Sequence, residues 1–264
     1  MILKHKDFGG FGKPDLILIH GMLGSSRNWV SIARCLTAHF HVVALDMRNH
    51  GSSPHADAMD YPLMAEDVLR WMDTHAVPCA RFIGHSMGGK IVMRLLHYHP
   101  DRVTQAVIGD VAPKNYPPFF ADAFRAMQAV KPGACSRLSE ADALMAPIEP
   151  DDKLRQFLLT NLRRREDGRL EWIIHLESFT ANMGKLSEPP FGPDDRCLEP
   201  ILFLRGEYSR FVTDDDLRTI VRHFPNATIG CIPNAGHNVH FDNREAFCKE
   251  TLQFFGHTGE LEGF

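Results

Sequence analysis

The sequence predicts an α/β fold in which a mostly parallel sheet carries helices on both faces. Short apolar runs recur along the chain, helical patterns separate them, and each run is apolar on both faces of the strand. Strands buried on both faces are typical of parallel sheets, and a β-α-β-α rhythm implies right-handed crossovers. The predicted strands are Asp15–His20, His41–Asp46, Arg81–His85, Val103–Gly109, Ile201–Leu204 and Ala227–Ile232.

Helical patterns fill the intervals between these strands. Their apolar residues recur three and four positions apart, which is the spacing of an amphipathic helix packed on a sheet. The predicted helices of this type cover about residues 28–38, 63–75, 87–98, 214–224 and 243–255.

The rhythm stops between Pro113 and Pro200, where the sequence contains no convincing strand. Turn-forming residues flank the segment, and helices are predicted inside it at 118–130, 139–145, 151–164 and 170–183. We therefore expect a core domain of residues 1–112 and 200–264, interrupted by a helical cap of residues 113–199, called the insert below. Its aromatic residues, including Phe119, Phe120 and Phe124, either form the core of the insert or line an apolar pocket.

Composition excludes several classes of protein. The chain has 264 residues, of which 44% are hydrophobic and 23% charged, so it is not intrinsically disordered. A net charge of −4 without a basic stripe argues against a nucleic-acid partner, and no apolar run reaches the length of a membrane span. The one basic run, 163–165, is interpreted as a solvated helix end. Six widely spaced cysteines and no metal-ligand spacing predict a cytoplasmic protein with reduced thiols and no metal.

A G-x-S-x-G pattern spans residues 84–88 and centres on Ser86. It follows the predicted strand Arg81–His85 and precedes a helix that begins at Met87, which is the context in which such a serine is a nucleophile. The sharp turn lifts the hydroxyl above the sheet edge, and the helix start directs N–H groups toward developing negative charge. The pattern predicts a catalytic serine, with a plain helix N-cap as the alternative role.

His237 is the predicted base. It lies in the stretch 233–240, after the last predicted strand, at the carboxyl edge of the sheet where open α/β sheets bind ligands. Other histidines fit less well. His50 is interpreted as a turn residue and His240 as a residue that packs locally. His85 lies on the other side of the sharp turn at Ser86, the nucleophile elbow.

Two backbone N–H groups are predicted to form an oxyanion hole. One belongs to Met87, directly after the nucleophile, and the other to the loop 20–25 after the first predicted strand. Gly21 allows this loop to turn sharply and to aim the N–H of Met22 inward. Removing one such donor costs about 3–4 kcal/mol of transition-state stabilisation.

These features together resemble the α/β-hydrolase superfamily over nearly the whole chain. Two longer strings, 46–54 and 82–90, resemble the YbfF-type esterases and their mitochondrial abhydrolase-domain relatives, and 233–240 resembles the latter also. The resemblance implies a serine hydrolase of carboxylic esters that needs no cofactor. It also implies a helical cap between the strands that end near Asp110 and Gly206.

The resemblance also bears on the acid of a catalytic triad. Most superfamily members carry an Asp after the strand at 201–204, where this sequence has Ser209. The YbfF-like group instead places its acid after the previous core strand, which implies Asp110 as the acid and Ser209 as a polar neighbour of the His–Asp pair. A strand-end turn is the alternative role of Asp110. Glu207 lies two residues before the usual acid position, and Asp214 is explained by a helix start.

The expected function is therefore serine esterase activity on small to medium acyl esters, or thioesters, with Ser86 attacking, His237 accepting its proton and Asp110 orienting the imidazole. The same residues also serve C–C hydrolases, lyases and perhydrolases, and the scaffold also serves ligand receptors. These alternatives stay open. The expected partner is a small molecule, and the sequence does not indicate an oligomeric state.

Overall fold

The computed structural model describes residues 1–117 and 120–257. Its main sheet has seven strands in the order β1-β3-β2-β4-β5-β8-β9, of which β1 alone is antiparallel to its neighbour. The strands of this sheet are β1 Lys4–Gly9, β2 Asp15–Ile19, β3 His41–Asp46, β4 Ala80–His85, β5 Val103–Gly109, β8 Ile201–Gly206 and β9 Ala227–Ile232. The six strands predicted from apolar runs are thereby confirmed.

The described helices lie on both faces of this sheet and within the insert. The core helices are α1 Val30–Thr37, α2 Tyr61–Thr74, α3 Met87–Tyr98, α8 Asp214–His223, α9 Val239–Asp242 and α10 Arg244–Phe254. The insert contains α4 Ala121–Ala129, α5 Leu138–Met145, α6 Asp152–Leu159 and α7 Leu176–Ser187. Short 3-10 turns cover Ser26–Trp29 and Pro100–Arg102.

Alternate residues of the central strands enter two separate hydrophobic cores. In β2, Ile17 and Ile19 face the core shared with α2, α3 and the insert, whereas Leu16 and Leu18 face the core shared with α1 and α10. All four residues are almost completely buried. A two-sided core explains why these strands read as continuous apolar runs, and it confirms the predicted α/β class.

Two strand predictions need correction. Strand β1 was not predicted, because this edge strand is mostly exposed and carries the charged residues Lys4, Lys6 and Asp7 instead of an apolar run. The insert also contains a small antiparallel hairpin, formed by β6 Leu162–Arg164 and β7 Leu170–Trp172.

The hairpin corrects part of the helices predicted at 151–164 and 170–183. Helix is confirmed in α6, Asp152–Leu159, and in α7 from Leu176 onward, whereas residues 162–164 and 170–172 are strands. Residues 165–169 turn between the strands, with Gly168 at a φ of 80°, so helical periodicity on either side cannot continue through the segment. The basic run 163–165 therefore lies in a hairpin and not at a helix end. Arg163 pairs with Glu171 across it at 2.8 Å.

No helix in the described ranges is both long and apolar enough to cross a bilayer.

Candidate active site

Ser86 lies in a strained turn between β4 and α3. Its φ of 52° and ψ of −116° are outside the regions that most residues adopt, and its N–H donates to Gly109 O at 2.9 Å. The side chain makes no capping hydrogen bond to α3 within the described chain. Strain of this kind costs about 1–3 kcal/mol and persists where surrounding structure imposes it, as at functional sites. The geometry fits a nucleophile elbow and not a plain helix N-cap.

Backbone segments approach the elbow too closely for side chains. A Cβ on Gly88 would lie 2.2 Å from Ile19 O, and one on Gly21 would lie 2.8 Å from His85 Nδ1. Gly21 was predicted to allow a sharp turn of this loop. In the structure its φ is not positive, and the residue is needed because the loop passes directly over His85 and Ser86.

Hydrogen bonds from two sides hold the loop that contains Met22. Leu23, at a φ of 62°, donates its N–H to His50 Nε2 at 3.2 Å and accepts from Asn161 Nδ2 of the insert at 2.9 Å. His50 is fully buried, and burial lowers its pKa well below the usual value, so it is a neutral acceptor and not a simple turn residue. Across the described residues, neither the Met22 N–H nor the Met87 N–H donates to a protein acceptor, which leaves both available to a substrate oxygen.

The structure brings His237 and Asp110 together. His237 Nδ1 lies 2.8 Å from Asp110 Oδ2, and the Asp110 side chain is completely buried while that of His237 is 21% exposed. A buried carboxylate on Nδ1 favours the tautomer in which Nε2 is free to accept a proton. The Ser86 hydroxyl has no hydrogen-bond partner in the described chain, and catalytic contacts of this type often tighten only when substrate binds.

Several donors fix the Asp110 carboxylate. Asp110 has a φ of 50°, and its Oδ1 accepts from Gly206 N at 3.0 Å. The Ser209 hydroxyl donates to Oδ2, the same oxygen that faces His237. Glu207 and Asp214 are engaged elsewhere: Glu207 accepts from Asn234 N at 2.7 Å, and Asp214 pairs with Arg205 at 2.6 Å. Asp110 is therefore the acidic residue that the fold directs at the imidazole.

Two further residues hold His237 in place. The ring of Phe211 stacks on the imidazole with centroids 3.6 Å apart. His85 Nε2 lies 2.8 Å from His237 O, and burial lowers the pKa of His85 well below its usual value. A neutral His85 then donates this hydrogen bond through Nε2–H. His85 was not predicted to act on Ser86, because it lies on the other side of the elbow, yet His85 positions the backbone of the predicted base.

A pocket of about 460 Å³, solvent at its mouth included, opens beside Ser86. Its walls are mostly apolar and come from both the core and the insert. Within the described ranges this Ser86 pocket is lined by Met22, Tyr61, Ser86, Met87, Lys90, Val111, Tyr116, Pro117, Phe120, Met183, Leu186, Ser187 and Phe211. The sequence left open which aromatic residues of the insert line a pocket. Phe120 lines this one, Phe124 packs in the hydrophobic core, and Phe119 lies outside the described residues.

Lys90, Tyr61, Tyr116 and Phe211 were not anticipated from the sequence. Lys90 could have been predicted from the sequence, because it comes four residues after Ser86 and therefore lies one helical turn along the same face of α3. The two tyrosines and Phe211 belong to three separate segments, and only the tertiary structure brings them to one pocket.

Comparison with known proteins agrees with this architecture. A family model described as "alpha/beta hydrolase fold" matches residues 14–244. The "sn-1-specific diacylglycerol lipase ABHD11" of Xenopus tropicalis is 36% identical over 251 residues, which cover 91% of this chain and 77% of the relative. "Esterase YbfF" of Escherichia coli is 33% identical, over 90% of this chain and 92% of the relative. A solved structure titled "Marine microorganism esterase" superposes with a TM-score of 0.92 at 35% identity, covering 96% of this chain and 99% of that one.

Proposed function

We propose that this chain, which belongs to the α/β-hydrolase family, is a serine carboxylesterase that hydrolyses esters, or thioesters, of small to medium acyl groups. One observation carries the proposal. The Ser86 pocket has the serine and both candidate oxyanion donors, Met22 and Met87, in its wall, and its Phe211 stacks on the imidazole that Asp110 holds. Relatives that carry the names esterase and lipase support the same class of reaction.

The proposed reaction begins when substrate places its carbonyl carbon beside Ser86 Oγ. His237 Nε2 takes the hydroxyl proton as Oγ attacks, and the Met22 and Met87 N–H groups stabilise the negative charge on the carbonyl oxygen. His237 then passes the proton to the departing alcohol or thiol, which leaves an acyl-enzyme. Water, deprotonated by the same imidazole, releases the acid and restores Ser86. The Asp110 carboxylate stabilises the imidazolium in both halves of the cycle.

The lining of the Ser86 pocket supports an acyl substrate. Met183 and Leu186 of α7 and Phe120 before α4 give it an apolar wall suited to an acyl chain. We also propose a reducing compartment such as the cytoplasm, because all six cysteines are free and two of them, Cys79 and Cys231, are exposed.

The test is hydrolysis of p-nitrophenyl acetate and butyrate by the wild-type chain and by Ser86→Ala. We expect turnover by the wild type and its loss in the variant at an unchanged melting temperature, because the pocket already exposes this hydroxyl and its removal leaves little cavity. Labelling by a fluorophosphonate probe should follow the same pattern. Retained turnover in a variant free of wild-type contamination would contradict the assignment. No turnover on any acyl length together with no labelling would favour a ligand receptor on the same scaffold.

A further inference from the structure

Lys90 is a buried lysine in the wall of the Ser86 pocket. It lies one turn beyond Ser86 in α3, about 6 Å farther along the helix axis, and is only 2% exposed. Its Nζ donates to Ser187 O at 3.1 Å and to Glu188 O at 2.5 Å. These two carbonyls end α7, so Lys90 connects the helix that begins at the elbow to the last helix of the insert.

Carbonyl oxygens and aromatic rings take the place of a carboxylate at this lysine. Nζ lies 5.2 Å from the ring centroid of Tyr61 and 4.9 Å from that of Tyr116, and no carboxylate of the described residues comes within ion-pair distance. The negative end of the α7 dipole adds to this attraction. Burial still lowers the pKa of Lys90 to about 7, an effect that Glu188 opposes and Lys114 reinforces. The end of α7 thus stabilises the Lys90 ammonium, and the ammonium in turn holds the end of α7 through two hydrogen bonds.

Two more hydrogen bonds fasten the same turn of α7. The Tyr61 hydroxyl donates to Leu186 O at 2.8 Å, and Tyr116 N donates to Ser187 O at 3.0 Å. Three successive carbonyls, of residues 186–188, are therefore held by groups outside α7. We call Tyr61, Lys90, Tyr116 and residues 186–187 the inner wall, since all of them line the Ser86 pocket.

A second hollow borders the inner wall. Tyr61 lines both spaces, and neighbours of the wall residues line the outer one, including Asn115, Lys185 and Glu188. The outer groove continues along Pro189, Pro190 and Phe191. The two spaces thus share Tyr61, and both are lined by residues at the C-terminal end of α7.

We propose that Lys90 is a specificity-determining residue that closes the inner end of the Ser86 pocket by fastening the C-terminal turn of α7, and so limits the length of the acyl group. The inference rests on the proposed function, in which this pocket holds the acyl chain. Without the ammonium, Glu188 O loses its Lys90 donor and Ser187 O keeps only Tyr116 N among the described donors. Loss of hydrogen bonds from a charged donor weakens the attachment of this turn, so the turn moves toward solvent and joins the pocket to the outer groove.

The test compares kcat/KM for p-nitrophenyl laurate and butyrate in the wild type and in Lys90→Met, which keeps the length of the side chain and removes its donors. We expect the laurate-to-butyrate ratio to rise by at least about 10-fold, the scale on which pocket contacts discriminate. Lys90→Arg retains a cationic donor and should stay nearer to the wild-type ratio. Tyr61→Phe removes only the bond to Leu186 O and should raise the ratio by a smaller factor, so the inference is tested even where Lys90→Met does not fold.

Lys114→Met is the matched control. The Lys114 ammonium also lies 4.9 Å from the Tyr116 ring, but it bonds to Asp216 at 2.6 Å and not to α7. Lys114→Met removes a lysine from this ring but keeps the Lys90 bonds to α7. The laurate-to-butyrate ratio of this variant should therefore stay within about 2-fold of the wild type.

A binding measurement separates this inference from the proposed function. In a Ser86→Ala background, sodium laurate below its micelle concentration should raise the melting temperature of the Lys90→Met variant and not that of the parent. If the wild type hydrolyses esters while neither Lys90→Met nor Tyr61→Phe changes the ratio or laurate binding, the inference is overturned and the function stands. If Lys90→Met gains laurate binding while the wild-type chain hydrolyses no ester, the proposed role of the inner wall is supported and the esterase proposal fails.

Discussion

The carboxyl edge of the sheet and the insert line opposite sides of the Ser86 pocket, and they are built differently. At the edge, Ser86 and Asp110 both have positive φ, and a Cβ on Gly88 would strike backbone. Among the described residues of the insert, only Gly133 and Gly168 have positive φ, and its helices are held by contacts such as the stacked rings of Phe124 and Phe179, 5.5 Å apart. Strained backbone sets the geometry at the edge, whereas the insert is held by packing of apolar side chains and by a few hydrogen bonds, such as that from Asn161 Nδ2 to Leu23 O. Substitutions at the edge should therefore affect the reaction, and substitutions in the insert should affect stability or selectivity.

The largest effect should come from the acid at the edge. Asp110→Asn should lower kcat/KM on p-nitrophenyl butyrate by at least about 10²-fold, since loss of the comparable carboxylate in a serine protease costs about 10⁴-fold by favouring the wrong imidazole tautomer. Glu207→Gln and Asp214→Asn should remain near wild type, because both carboxylates have partners away from His237. An active Asp110→Asn beside an inactive Glu207→Gln or Asp214→Asn would place the acid after β8.

Two phenylalanines of the insert should separate stability from selectivity. Phe124 is 5% exposed and stacks on Phe179, so Phe124→Ala should cost about 3–5 kcal/mol of unfolding free energy and leave the chain-length profile unchanged. Phe120 lines the Ser86 pocket, so Phe120→Ala should shift selectivity among p-nitrophenyl esters by about 1–3 kcal/mol. Urea unfolding and a C2-to-C12 ester series measure the two effects. A flat ester profile in Phe120→Ala would show that Phe120 does not contact the acyl group.

A pH series should show that the core loses stability in acid. His240 is fully buried, its Nδ1 has no partner in the described chain, and burial lowers its pKa to about 3. Between that value and about 6.5 the unfolded chain binds a proton that the folded chain refuses, so this contribution to stability is complete above pH 6.5 and is lost as pH falls. The loss is about 1.4 kcal/mol per pH unit for this group.

His240→Phe tests that account by removing the titrating group. Its ring should still pack on Trp29, whose centroid lies 4.5 Å from that of His240. Between pH 7.5 and 5.5, the unfolding free energy of the variant should fall by about 1.4 kcal/mol less than that of the wild type. Equal falls in both proteins would assign the acid sensitivity to the other buried histidines of the core, His20, His50 and His85.

The smallest effect should come from Ser209. Ser209→Ala removes one hydrogen bond to Asp110 Oδ2, whereas Gly206 N and His237 Nδ1 still contact the carboxylate. We expect a loss of about 0.5–1.5 kcal/mol in transition-state stabilisation, a few-fold in kcat/KM. A loss as large as that of Asp110→Asn would show that the hydroxyl, and not the carboxylate alone, governs the imidazole.

The sequence by itself determined the features that depend on neighbours along the chain. Apolar runs revealed the six buried strands, because a strand covered on both faces has no polar side to interrupt it. The pattern at 84–88 indicated the elbow, since a strand, a tight turn and a helix start are all local. The role of Asp110 could also be predicted from the sequence, although the prediction came from family resemblance and not from residue spacing.

Tertiary structure decided what depends on segments far apart in the chain. The edge strand β1 and the hairpin β6–β7 were missed because their pairing, and not an apolar run, makes them strands. The structure also separated Phe120, which lines the pocket, from Phe124, which does not. The role of Lys90 depends on carbonyls almost one hundred residues away, at 187 and 188, which no local pattern can indicate. Short sequence motifs predict the catalytic residues at the sheet edge, because the backbone strain that positions them is local. The shape of the pocket arises from packing between helices that are distant in the chain, so no motif predicts it.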